Sequence, residues 1–133
     1  MDIDWVGSVR LFVHVIAATV WVGGQLVLAA LVPVLRAKDP VLPKAAAVAF
    51  NRIAWPAYWV LVATGIWNVA AEQSEAPAGW NAVLAVKVVL VALSGVAAFL
   101  HTRAATALGL AVWGALSGLS AIAAVYVGIL LAG

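Results

Sequence analysis

Four long apolar runs separated by short polar stretches set the pattern of this chain. The first, Leu11 to Leu35, holds twenty-five residues without an acidic or permanently basic side chain, and His14 is set into it. As a helix it reaches roughly 37 Å at about 1.5 Å per residue, more than the ~30 Å hydrocarbon core of a bilayer, which predicts a tilted membrane span. Its Trp21-Val22-Gly23-Gly24 run puts an indole beside two positions with no side chain, where another backbone can come close. The stretch from Arg36 to Lys44, with Pro40 and Pro43, predicts the first loop. A second span follows from Ala45 or Ile53 to Ala71, in which Pro56 either kinks the helix or marks its first turn. Glu72 to Gly79 is an acidic loop that ends at Trp80, an interface anchor for a third span from Ala82 to Leu100. His101, Thr102 and Arg103 form a turn, and Ala104 to Gly133 gives thirty uncharged residues for a fourth span. Gly114 and Gly118 make a GxxxG pattern there, read as a packing site inside the protein or as a contact with a second copy.

The predicted fold is therefore all-α, an integral membrane bundle of four antiparallel transmembrane helices. It is read as a single domain over 1–133, with spans at about 8–35, 46–71, 81–101 and 105–131. Composition agrees with that reading. With 67% hydrophobic and 9% charged residues and a mean hydropathy of +1.15, the chain lacks the polar surface of a water-soluble domain, which is typically about a quarter charged. The lipid bilayer is its expected surrounding, and a multi-pass place in the cell membrane its expected location. Seven basic and five acidic residues are too sparse for a nucleic-acid footprint, so no nucleic acid is expected as a partner. There is no cysteine, hence no disulfide, thiolate site or thiol nucleophile. The start, Met1-Asp2-Ile3-Asp4-Trp5, has no basic n-region, so the first span is expected to be retained. Arg36, Lys38, Lys44, Arg52 and Arg103 gather beside the first and third connections, whereas Asp2, Asp4, Glu72 and Glu75 lie towards the other side. The positive-inside rule then puts both termini and the second loop outside.

Three ionisable residues inside or beside the spans carry the candidate chemistry. His14 lies nine residues inward from Trp5, roughly 13 Å, and Lys87 seven inward from Trp80, roughly 10 Å. Both belong to the outer half. His101, twenty-one residues beyond Trp80, falls roughly 31 Å away, so His14 and His101 are not expected to be two axial ligands of one metal. His14 reads either as a neutral ring hydrogen-bonded to a neighbouring helix or as a metal or haem ligand. For Lys87 the readings are a neutral amine, a side chain snorkelling outward, a pair with Glu72 or Glu75, or a contact with an anionic ligand such as a propionate. Arg10, in the first turn of its span, reads as snorkelling towards headgroups or as buried near such a ligand.

The run from His14 to Gly24, with Arg52, the Thr64-Gly65 pair and the Lys87 span ending in His101, resembles the copper-resistance D (CopD-like) membrane domain over nearly the whole chain. A more distant likeness is to the HemJ-type protoporphyrinogen oxidases, which similarly carry a histidine followed by Trp-x-Gly in the first span and a lysine in a later one. The first resemblance implies copper handling; the second implies b-type haem and redox chemistry. Cu(I) favours thiolate or thioether donors, and Met1 is the one sulfur residue here. A single imidazole suits five-coordinate haem, with His14 on the iron and Arg10, Arg52 or Lys87 near propionates. Three functions stay open: a copper- or haem-associated membrane protein built on His14, a haem-dependent oxidoreductase, and a non-catalytic accessory subunit of a larger respiratory-type membrane complex. An accessory subunit would meet other subunits, or itself, through small-residue helix faces.

Overall fold

The computed structural model describes residues 1–133 and contains helices and turns without a strand, an all-α fold of four long helices. The first runs from Trp5 to Lys38 in three pieces, α1 (Trp5–Ala18), a π-helical turn (Thr19–Gly23) and α2 (Gly24–Lys38). Then come α3 (Leu42–Glu72), prolonged by a 3₁₀ turn (Gln73–Glu75), α4 (Trp80–Arg103) and α5 (Ala107–Ala132). Each of the four is long and apolar enough to cross a membrane. Large apolar side chains such as Phe12, Ile53, Ile66, Val89, Leu119 and Ile129 are exposed, whereas Arg10, Thr64, Ser94, Ser117 and Ser120 are buried. Large apolar side chains turned outward, and polar ones drawn inside beside Trp21, Tyr58 and several alanines, suit a lipid solvent, and the chain is a small integral membrane protein.

The caps set where two of the helices begin. Asp4, ahead of the first apolar run, caps α1, its carboxylate accepting the Gly7 N–H at 2.9 Å, whereas Thr106, inside the last run, delays α5 to Ala107, its hydroxyl accepting the Gly109 N–H at 3.0 Å. The first connection is much shorter than expected. Pro43 lies in the first turn of α3, where a missing N–H removes no intrahelical bond, so the helix starts at Leu42 and only Asp39, Pro40 and Val41 remain as linker. Pro56 does not mark a first turn either; it lies well inside α3, which continues past it.

The chain divides into two compact units, Met1–Ser74 and Glu75–Gly133, each a hairpin of two long helices. In the first, contacts step oppositely along the two helices: Arg10 meets Glu72, His14 meets Thr64, and Trp21 meets Tyr58. Trp21 sits in the π turn, which adds a residue to the helical repeat and so rotates the faces of α2 relative to those of α1. Its ring is buried against Trp55 and Tyr58, with centroids 5.3 and 4.6 Å away. The neighbouring Gly24 accommodates a ring rather than a backbone, since a Cβ there would overlap Phe50, while Gly23 faces open space.

The second hairpin is held by small residues. Ser94, Gly95 and Ala97 of α4 and Ser117, Ser120, Ala121 and Ala124 of α5 are all buried, so the backbones can approach closely. At the centre the serines exchange bonds: Ser94 Oγ donates to the Ser117 carbonyl at 3.0 Å and Ser117 Oγ to the Ser94 carbonyl at 2.9 Å. Gly114, one half of the GxxxG pattern, makes room for a side chain of the same hairpin, because a Cβ there would come within 3.1 Å of the His101 ring.

Candidate functional site

Polar residues on the first hairpin fall at helical spacing on facing sides. Arg10 and His14 are four apart on α1, and Thr64, Asn68 and Glu72 are four apart on α3, so each set forms one stripe. The antiparallel register brings the stripes together. Arg10 Nη2 donates to Glu72 Oε1 at 3.2 Å, and one turn or more further in, His14 Nδ1 and Thr64 Oγ1 are 2.7 Å apart.

Thr64 Oγ1 lies 2.7 Å from the Val60 carbonyl, in the preceding turn of its own helix, and 3.2 Å from the Leu61 carbonyl, and its one proton serves either a carbonyl or His14. Where the hydroxyl gives that proton to Val60, it accepts from His14, so that Nδ1 carries the ring proton and, in the neutral ring, Nε2 the lone pair. An imidazole fixed through one nitrogen in this way presents the other in the form that metals bind. Gly65 borders the same ring: a Cβ there would lie 3.5 Å from His14 Cε1.

Arg10 is 9% exposed and turned into the hairpin, where it reaches towards the end of α3 to Glu72, a partner at 44% side-chain exposure. A buried guanidinium is tolerated in a span when a carboxylate balances it. That pairing also occupies one of the two acids considered for Lys87. Lys87 itself extends across α5, where a Cβ at Gly128 would lie 3.0 Å from Nζ. The Ser94–Ser117 and His101–Leu110 pairs put Ala124 level with Lys87, so its ammonium leans one turn towards the Trp80 end of the hairpin. His101 is in the last turn of α4, with Nδ1 donating to the Leu110 carbonyl at 2.8 Å, and Arg103 stacks 4.9 Å from the Phe99 ring centroid. Arg52 is exposed on α3.

The donor chemistry decides what could be held. No three His, Cys, Asp or Glu side chains stand together anywhere in the structure. A copper centre needs several protein donors, preferably soft ones, and Thr64 and Gly65, which border His14, supply no soft donor. Haem brings four nitrogens of its own and asks the protein for an axial ligand, which one oriented imidazole supplies. Sequence reasoning singled out His14, Arg10 and Lys87, but not Glu72 as the partner of Arg10, and not Asn68 at all. The signal was present in the four-residue spacing of Thr64, Asn68 and Glu72 opposite that of Arg10 and His14. No known protein family, characterised protein or solved structure matches this chain.

Proposed function

We propose that this small membrane protein holds a b-type haem, with His14 Nε2 as the axial ligand to iron. The observation that carries the reading is the Thr64 hydroxyl between His14 Nδ1 and the Val60 carbonyl, 2.7 Å from each, an arrangement that supports the Nδ1–H tautomer of His14. It is in keeping with the more distant of the two resemblances, which implies b-type haem, and the donor set favours haem over copper. Arg10, on the same hairpin as His14 and balanced by Glu72, contributes some charge favourable to a propionate. A haem bound there supplies one-electron chemistry, while the chain's own part is to orient the ligand and exclude water. The protein is assigned a binding role, in the cell membrane, and no reaction.

The test is the visible absorption spectrum and metal content of protein purified from haem-supplemented cells. A Soret band is expected in the wild type, lost in His14→Ala and retained in His101→Ala. A wild-type protein without haem after supplementation would overturn the reading and leave the accessory-subunit role, which needs no cofactor. Copper without a Soret band would instead favour the copper reading.

A further inference from the structure

Between the Arg10–Glu72 pair and the His14–Thr64 pair, the first hairpin buries a donor and an acceptor that meet no partner in the protein: Arg10 Nε and Asn68 Oδ1. Both belong to the facing polar stripes. Asn68 is one turn from Glu72 and one from Thr64, so the register that joins Arg10 to Glu72 and His14 to Thr64 sets Asn68 at the level between them. The Arg10 side chain is nine-tenths buried, and its Nη2 is taken by Glu72. In hydrocarbon, neither an N–H of a guanidinium nor an amide oxygen can find a partner from the lipid.

A donor and an acceptor on facing helices are matched by a molecule that is both acceptor and donor. We infer that an ordered water bridges Arg10 Nε and Asn68 Oδ1, accepting from the first and donating to the second, so that the hairpin is hydrated from its Glu72 end to the level of Asn68. Water is the ligand because it offers both functions in the smallest volume, and buried waters occupy sites where otherwise unpaired polar groups converge. A carboxylate would satisfy Arg10 but would set its oxygen against that of Asn68. Glu72, partly exposed at the end of α3, is the mouth of this path, which stops about one turn short of His14. The inference does not depend on haem, because it concerns groups that neither bind iron nor touch the imidazole.

The experiment is magnetisation transfer from bulk water to arginine side chains in uniformly ¹⁵N-labelled protein in bilayers of uncharged lipid. The Arg10 resonance is identified as the one missing from Arg10→Lys. Transfer to Arg10 Nε–H is expected in the wild type, at mixing times that leave the amides of lipid-facing Ile66 and Val89 without signal. It should be lost in Asn68→Leu, which removes the acceptor that anchors the water. In Asn68→Asp, whose carboxylate oxygen stands where the amide oxygen stood and accepts from the same water, transfer should be retained, and its loss would overturn the inference. Absence of transfer in the wild type would overturn the inference, as would unchanged transfer in a helical Asn68→Leu protein. Should Asn68→Leu fail to fold, the Asn68→Asp comparison decides alone.

Discussion

His14 illustrates how one shared proton fixes a side chain's chemistry. If the Thr64 hydroxyl is the acceptor, the ¹⁵N spectrum of the two histidine rings should place the His14 proton on Nδ1, and Thr64→Val should release it into a mixture of tautomers. A proton on Nε2 in the wild type would remove the argument for axial ligation. The Arg10–Glu72 pair makes a second prediction. Removing one member of a buried pair leaves an uncompensated charge, which costs about 3 to 5 kcal/mol when both are deeply buried, and less here because Glu72 is partly in solvent. Glu72→Gln should therefore lower the stability of the first hairpin by about 1 to 3 kcal/mol in detergent unfolding. Glu75→Gln, at an exposed residue outside the polar core of either hairpin, should change it by no more than about 0.5 kcal/mol. Equal effects would mean that the Arg10–Glu72 contact contributes nothing.

At the scale of elements, the two hairpins are joined internally by different means, the first by rings and a polar stripe, the second by small residues and reciprocal serine bonds. Gly24→Leu should disrupt the first hairpin, because its side chain would enter the space of Phe50, whereas Gly23→Leu faces open space and serves as the control. Gly79 is unsuitable for that purpose despite lying in a loop. Its φ of 85° is left-handed backbone that a leucine would strain, so Gly79→Leu should also lose stability. In the second hairpin, Ser94→Ala and Ser117→Ala should each cost about 0.6 kcal/mol, the size typical of interhelical hydrogen bonds in membranes, and the two losses should add in the double mutant, because each hydroxyl bonds a backbone carbonyl that alanine keeps. The same physics explains how much of the molecule could be read from its sequence. Runs longer than a bilayer is thick, broken by proline and charge, define the four helices almost without ambiguity. Helices apolar on every side do not reveal which face is buried, so the serine seam and the Trp21 cluster were not legible. Asn68 was hidden for a further reason: its meaning depends on the register between α1 and α3, which only the folded hairpin supplies.

For the molecule as a whole, the open quantity is its direction in the membrane, and it decides which aqueous phase meets the polar stripe. The structure leaves three short connections at 39–41, 73–79 and 104–106, and their flanking charges differ in sign. Arg36, Lys38 and Lys44 flank the first, Glu72 and Glu75 the second, and Arg103 the third. Because lysine and arginine near span ends resist transfer while acidic residues have little influence, the first and third connections are expected in the cytoplasm and the second outside, with both termini outside as well. Reporter fusions at Lys38 and Arg103 should then score cytoplasmic, and fusions at Glu75 and after Gly133 external. Under that orientation the exposed Glu72 carboxylate opens to the outer phase, and His14 lies in the outer half of its span. A cytoplasmic Glu75 would reverse both statements: the path past Arg10 and Asn68 would be filled from the cell interior, while the hairpin contacts that define it would stay as they are.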